Sequence, residues 1–298
     1  MLLHRADYHP PPGRVAYVDG RYVRHGVAGV HVEDRGLQFA DSVYEVITVS
    51  NARLVDASPH LDRLKRSLGE IGMKMPVGRA SLRVILNETA RRNRLDEGLL
   101  YLQITRGAAP RDHAAPNDIS PTLIVTAKRA DAAGIKARHA SGVAIITTPE
   151  IRWARCDIKS TALLPNVMAK TEARKQAAYE AWFVDGEGFV TEGSSTNAWI
   201  VESNGTPITR SLHDNILAGV TRGVLLRALS AAGIEVEERA FSLREAFGAR
   251  EAFISSATGG VIPVVQIDGK AVGGGKIGSV SERMQALYQE LSLKESRG

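Results

Sequence analysis

Apolar positions along the chain switch between a period of two and a period of three to four, and the switches predict alternating strands and helices. Val15-Ala-Tyr-Val18 and Arg21-Tyr-Val23 flank Asp19-Gly20, a strong two-residue hairpin signal. Val43-Tyr-Glu-Val-Ile-Thr-Val-Ser50 reads as a β-branched strand, Asn51-Ala52 as a turn and Arg53-Leu-Val55 as the return. Pro59 then opens a helix through Leu61, Leu64, Leu68 and Ile71 that Gly72 closes. A second helix over residues 79–92 precedes strands at 100–105 and 122–126, joined by the long, Pro-containing loop 107–116. The polar, Ala-rich stretch 127–137 reads as a linker. Beyond it the pattern predicts strands at 143–147, 180–184, 197–201, 234–236, 251–255 and 264–267. Helices are expected at 165–179, at 221–232 ended by Gly233, and at 279–291 with a Ser-x-x-Glu box at Ser279 and Glu282.

This order gives an α+β chain in two halves, a smaller N-terminal α/β domain over residues 1–129 and a larger domain over 130–298. With 298 residues, such a chain buries about 75% of its unfolded surface, so neither disulfides nor metal is needed for a core. A formal charge of +5, from 38 basic and 33 acidic residues, raises a nucleic-acid or membrane reading. Basic residues are scattered among acids, however, and only 5% of residues are aromatic, which gives no stacking platform for bases. The longest apolar runs are far too short for a membrane span, and residues 1–14 lack the apolar core of a secretory signal. The lone Cys156 and the absence of CxxC and HExxH spacings point to a reducing, cytoplasmic setting with no thiolate metal site.

Four segments could carry chemistry. Lys159 follows Cys156-Asp-Ile158; a desolvated lysine loses basicity and can bond an aldehyde cofactor, whereas a solvated one is ordinary surface. Thr191-Glu-Gly-Ser-Ser-Thr-Asn197, between two strands, is either an ordinary polar loop or sets a carboxylate among small residues, which suits a buried base or a ring-nitrogen partner. Ile216-Leu-Ala-Gly-Val-Thr-Arg222 enters a helix, whose first N–H groups either bind phosphate or are simply capped. Pro110-Arg-Asp-His113 offers a guanidinium and an imidazole to a carboxylate, or is a solvated loop tip. Gly273-Gly-Gly-Lys-Ile-Gly278 lacks the spacing of a phosphate-binding loop and is set aside.

These segments occur together with Glu33-Asp-Arg-Gly-Leu-Gln-Phe39, Asp41, Val43-Tyr-Glu45, His60-Leu-Asp-Arg-Leu64, Asp157-Ile-Lys-Ser160, Leu164-Pro-Asn166 and Gly219-Val-Thr-Arg222. In this order, from about Tyr17 to the last helix, the chain closely resembles the class IV aminotransferases, pyridoxal-phosphate enzymes of fold type IV, and among them the D-amino acid transaminases. The resemblance implies a two-domain architecture whose larger, β-barrel-like domain carries helices. It implies pyridoxal 5'-phosphate as cofactor, with Lys159 holding it and moving a proton at the substrate Cα. Glu192 then pairs with the pyridine nitrogen and Leu217 packs on the ring face. Arg63, Val220 and Thr221 form the phosphate cup, with Ser256 or Thr258 supplying a hydroxyl.

By the same resemblance Tyr44 lies near the substrate carboxylate, while Arg111 and His113, contributed by the neighbouring subunit of a homodimer, trap that carboxylate. The implied reaction is ping-pong exchange between D-amino acids such as D-alanine or D-glutamate and 2-oxo acids. The family also holds R-selective amine transaminases, L-branched-chain transaminases and aminodeoxychorismate lyases; residues 111 and 113 favour the D-amino acid branch. Three departures from the family pattern stand out: Ala40 and Ser42 replace glycines beside Asp41, Ala257 stands where a phosphate-binding Thr is common, and the stretch before Arg14 has no counterpart.

Overall fold

The structure is a computed structural model that describes residues 13–212 and 216–297. The chain divides into two compact units, Met1–Ala130 with Lys159–Ala162, and Asp131–Ile158 with Leu163–Gly298. The short segment Lys159–Ala162, read from sequence as part of the larger half, thus belongs to the smaller unit.

In the smaller unit, strands β1 (Val15–Val18) and β2 (Arg21–Arg24) form the hairpin around Asp19-Gly20. A single helical turn, α1 (Arg35–Phe39), leads to β3 (Ser42–Ser50) and β4 (Arg53–Leu54). Helices α2 (Ala57–Glu70) and α3 (Arg79–Arg92) precede β5 (Gly98–Thr105) and β6 (Thr122–Arg129). The sheet order is β2-β1-β6-β5-β3-β4. Alternation in the strands puts Val43, Ile47, Val49, Leu100, Leu102, Ile104, Leu123 and Val125 in the core, with Leu61, Leu64 and Leu68 of α2 and Leu82 and Leu86 of α3. The residues between those positions include Tyr44, Tyr101 and Gln103, which are only half-buried. Gly107 starts the β5–β6 loop at φ +108°, where a Cβ would meet the Ser120 carbonyl at 2.0 Å, so a side chain there is excluded twice over.

The larger unit opens with α4 (Ala132–Ser141) where the linker was expected. The Asp131 side chain accepts from the Gly134 N–H and caps this helix, so the polar stretch is ordered almost from the end of β6. Then follow β7 (Val143–Pro149), α5 (Leu164–Lys175), β8 (Glu180–Val184), β9 (Phe189–Gly193), β10 (Asn197–Val201) and β11 (Pro207–Thr209). Helix α6 (Val220–Ala231) leads to β12 (Glu237–Glu238), β13 (Phe241–Ser242), α7 (Leu243–Gly248), β14 (Glu251–Ser256), β15 (Gly260–Ile267), β16 (Lys270–Ala271) and α8 (Ser279–Arg297). No strand forms at 234–236: Gly233 adopts φ +68° and Ile234 N–H turns back to the Leu229 carbonyl, closing α6 instead.

The strand order is β12-β11-β10-β14-β15-β7-β8-β9-β13, with β16 on β15. Ile208 near one end of this path and Phe241 at the other share one cluster with Ile145, Trp182, Ile200, Ile254 and Ile262, so the sheet curls around its inner face as a barrel-like layer. The alternate residues Trp199, Val201, Phe253 and Val261 face outward against α6 and α8. Ile146, Ala181 and Phe183 pack against Ala169 and Ala173 of α5. Strands buried on both faces explain why β8 and β10 read as continuous apolar runs. Among the described residues no helix is long and apolar enough to cross a membrane.

At the start of α8 the expected Ser279–Glu282 box is replaced by a long-range cap. The buried Glu251 carboxylate accepts from the N–H groups of Val280 (3.0 Å) and Ser281 (2.7 Å) and from Ser281 Oγ (2.8 Å). Glu251→Ala strands these buried donors and is expected to cost about 1–3 kcal/mol, read as a lower midpoint in chemical unfolding; Ser281→Ala, which removes one of the three, costs less.

Candidate active site

In the smaller unit, the candidate residues Lys159 and Tyr44 lie on β3 and the segment paired with it. Lys159 lies on an extended segment that adds to β3: its carbonyl accepts the Tyr44 N–H at 2.9 Å, Ser160 bridges Val43, and Thr161 N–H bonds the Ser42 carbonyl. Its Nζ lies 4.3 Å from the centre of the Tyr44 ring. Tyr44 in turn stacks on Tyr101, centroids 5.5 Å apart, and burial with the Tyr44 neighbour pushes the Tyr101 hydroxyl up to about 12. Ser42, which departs from the family glycine, uses its hydroxyl: Oγ pairs with Thr161 Oγ1 and accepts from Gln103 Nε2 at 3.2 Å. Ala40 stands in the left-handed region at φ +55°, a conformation that a glycine would adopt without strain.

Glu45 is fully buried behind this surface. Burial opposes its charge, but the Arg63 guanidinium grips both oxygens, from Nε at 2.8 Å and Nη2 at 2.7 Å, and His60 Nδ1 lies 2.7 Å from Oε2. The result is a carboxyl held down to about 2. Burial outweighs the Glu45 carboxylate at His60 and pushes its imidazole below the ordinary value, so at neutral pH the ring is neutral and Nδ1–H donates. Arg63, projecting from α2, is therefore fixed by two of its nitrogens.

In the larger unit, Glu192 sits inside β9 rather than in a loop. Its buried carboxylate accepts from Arg152 Nη1 (2.5 Å), Asn197 Nδ2 (3.1 Å) and the Leu217 N–H (3.2 Å). Arg152 also binds Glu150 through Nε at 2.9 Å and Nη2 at 2.6 Å, holding that half-buried carboxyl below its usual range against the effect of burial. Asn197 Nδ2 reaches the Leu217 carbonyl at 3.0 Å, and a Cβ on Gly219 would meet Asn197 Oδ1 at 1.9 Å. Only glycine lets the start of α6 approach Asn197, at the start of β10, this closely. Among the described residues no side chain caps the α6 N-terminus; Thr221 Oγ1 lies 3.4 Å from the Tyr288 hydroxyl. Ser256 Oγ and Thr258 Oγ1, flanking Ala257, are 3.4 Å apart. Cys156 donates to the Trp153 carbonyl, and burial pushes its thiol up to about 11, which makes it a poor nucleophile.

Residues 42–267 match the family described as amino-transferase class IV. The chain belongs to the class IV aminotransferases. As a member of that family it is 38% identical to the D-alanine aminotransferase of Bacillus licheniformis over 278 residues, 93% of this chain and 97% of that one. The branched-chain amino acid aminotransferase of Escherichia coli shares the class IV fold at a TM-score of 0.87 with 24% identity, covering 95% of this chain and 96% of the other. A second branched-chain amino acid aminotransferase, solved with pyridoxamine 5'-phosphate, superposes at a TM-score of 0.86 with 25% identity over 95% of each chain. That of the archaeon Thermoproteus uzoniensis, solved with norvaline, does so at a TM-score of 0.82 with 26% identity, again over 95% of each chain. The fold expected from sequence, α+β in the fold-type IV arrangement, is the one found.

The donor set fits the cofactor of a class IV aminotransferase. Among the described residues, Thr196 Oγ1, in the run that follows Glu192, is buried without a hydrogen-bond partner, and no side chain caps the α6 N-terminus. A buried carboxylate and an open helix start are the groups that a protonated pyridine ring and a phosphate require. Sequence reading singled out Glu192, Leu217, Val220 and Thr221, and the larger unit brings these together. It missed Arg152 and Asn197, which hold Glu192. Asn197 closes the Thr191–Asn197 run and could have been weighed; nothing in the sequence ties Arg152 to a residue 40 positions away.

Because Glu45 is lowered on folding, its contribution is complete above about pH 4.5 and is lost as pH falls towards 2. The shift corresponds to about 3 kcal/mol. Glu45→Gln is expected to destabilise the protein at pH 7, with the gap to wild type narrowing below pH 4.5 when denaturant midpoints are compared across pH.

Proposed function

We propose that this chain catalyses pyridoxal-phosphate-dependent transamination between D-amino acids and 2-oxo acids. The observation that carries this reading is the near full-length match to a protein named D-alanine aminotransferase. The placement of Arg111 and His113 around one ring supports it: the Arg111 guanidinium is 4.6 Å and the His113 ring 5.5 Å from the centre of Phe39. A guanidinium beside an imidazole is a receptor for the α-carboxylate, which an amine substrate lacks. Structural likeness to branched-chain enzymes, at 24–26% identity, favours the L-specific alternative only weakly.

When bound, the cofactor supplies an electron sink for negative charge at the substrate Cα. Lys159 holds it through the amine and carries the proton to and from that carbon. Its carbonyl is fixed by the Tyr44 N–H, which limits where the amine can swing. Glu192, anchored on Arg152 and Asn197, would hold a proton at the pyridine nitrogen, and Leu217 would help to hold the ring. Arg63, the N–H groups of Val220 and Thr221, and the hydroxyls of Ser256 and Thr258 bind the phosphate. Tyr44 orients the substrate carboxylate.

Arg111 and His113 serve the neighbouring subunit of a homodimer. The exposed Val27, Val32 and Leu37, and on the other unit Leu164, Val167 and Met168, supply apolar surface for such an assembly. The lone thiol suits a cytoplasmic enzyme.

Half-reactions with D-alanine, L-leucine and R-1-phenylethylamine test the reading: the cofactor's absorbance should shift with D-alanine and stay unchanged with the other two, and the reverse pattern would overturn it. Lys159→Ala should lose the absorbance of covalently held cofactor along with turnover. For Arg111→Ala the Michaelis constant for D-alanine should rise by about 10- to 100-fold, the loss of a charge-assisted pair worth about 1.5–3 kcal/mol.

A further inference from the structure

The carboxylate loop is exposed at residues 111–113, and an exposed arginine and histidine on a long loop make a poor receptor unless something fixes them. The α1 turn is built to do so. Arg35, Gln38 and Phe39 stand at i, i+3 and i+4 and share one face. Arg35 is 4% exposed and spends its guanidinium on the loop's main chain: Nη1 donates to the Asp112 carbonyl at 2.6 Å and Nη2 to the His113 carbonyl at 3.1 Å. Nε is clamped on Asp41 Oδ2 at 2.9 Å, an oxygen that also accepts Arg106 Nε at 2.7 Å. Both arginines hold Asp41 below the usual carboxylate range although burial opposes its charge. Gln38 Oε1 accepts from Arg111 Nη1 at 3.2 Å, and the Phe39 ring has Arg35 at 4.7 Å, Arg111 at 4.6 Å and His113 at 5.5 Å from its centre.

The turn itself has little freedom. Asp34 caps it through Gly36 N–H at 2.8 Å and accepts Thr105 Oγ1 at 2.8 Å; the Arg35 N–H bonds the Gly107 carbonyl at 2.9 Å, and Asp34 bridges Ala108. A Cβ on Gly36 would meet Thr105 Cγ2 at 2.5 Å, so the turn is seated directly on the end of β5. Two fixed points, the β5 end and the Asp41 clamp, thus set where the tip of the loop lies.

We propose that α1 is the positioning platform of the carboxylate receptor: Arg35, Gln38 and Phe39 hold Arg111 and His113 in register and thereby set the preference for donors that carry an α-carboxylate. This rests on the reading of Arg111 and His113 given above. None of the three touches substrate; each acts through the loop. Arg35 fixes the backbone at 112 and 113, Gln38 the direction of the Arg111 guanidinium, and Phe39 the planes of both side chains.

The test compares D-alanine with D-alaninamide, which keeps the amine and side chain but lacks the carboxylate charge, in Phe39→Leu, Gln38→Ala, Arg35→Gln and Arg111→Ala. Phe39→Leu should raise the Michaelis constant for D-alanine about three- to tenfold, as loss of a cation–π contact predicts, with kcat within about twofold and D-alaninamide unaffected. Arg35→Gln should act in the same direction and more strongly. In an Arg111→Ala background neither change should raise the constant further, because the group being positioned is gone. Equal effects on both substrates, additivity with Arg111→Ala, or a silent Phe39→Leu would overturn the platform. If Arg35→Gln fails to fold, Phe39→Leu and Gln38→Ala, at half-buried positions, decide the matter. Should Arg111→Ala itself leave D-alanine kinetics unchanged, the functional reading of the loop falls; should it act while Phe39→Leu does not, only the platform falls.

Discussion

A carboxylate taken out of water must find charge or several hydrogen bonds, because an isolated buried charge is too costly to keep. This chain meets that demand repeatedly, and its functional geometry follows from where the matches are made. Glu45 meets Arg63 and His60, Asp41 meets Arg35 and Arg106, Glu192 meets Arg152 and Asn197, and Glu180 meets Lys170, Ser194 and Ser195. In each case the acid is the hub, and at least one of its partners comes from a distant stretch of chain. Satisfying the acid therefore fixes the partners, and those partners or their neighbours are the residues assigned to cofactor and substrate.

The arrangement separates two tasks. Glu45 fixes Arg63, proposed above to bind the cofactor phosphate, and Arg152 and Asn197 fix Glu192, proposed to pair with the ring nitrogen. Asp41 holds Arg35, and through it the loop proposed to distinguish one donor class from another. A change in the loop can alter which donor is preferred while the residues proposed to hold the cofactor stay as they are. Several arginines are the inward-facing halves of these acid pairs, where the planar guanidinium fits a carboxylate; such pairs cancel and leave the net charge of +5 to basic residues outside them.

How much of this could be read from the chain depended on distance along it. The β1–β2 hairpin, α2 and α3 follow from local signals, a two-residue turn and a repeating Leu spacing, and they form where expected. The motifs around Lys159, Glu192 and Gly219 marked the family and its fold because they keep their order over most of the sequence. What escaped was set by partners far away: Arg152 and Glu192 are 40 residues apart, Arg35 and the Asp112 carbonyl 77. The same cause misplaced the cap of α8, where Glu251 supplied from 30 positions upstream what Ser279 and Glu282 were expected to supply locally. The supposed linker failed for the opposite reason, a local cap at Asp131 that the polar composition concealed.

The residence of Lys159–Ala162 in the smaller unit bears on how the protein comes to be made. The edge of β3 from Ser42 to Tyr44 is covered by Ser160 and its neighbours, so a chain emerging from the ribosome carries that edge bare while more than a hundred further residues are added. The N-terminal unit cannot be completed in the order in which it is synthesised. Nor can it be cut out as one continuous stretch: a fragment ending at Ala130 would lack both the extended segment that bonds the Ser42–Tyr44 edge and the lysine on which the proposed chemistry turns.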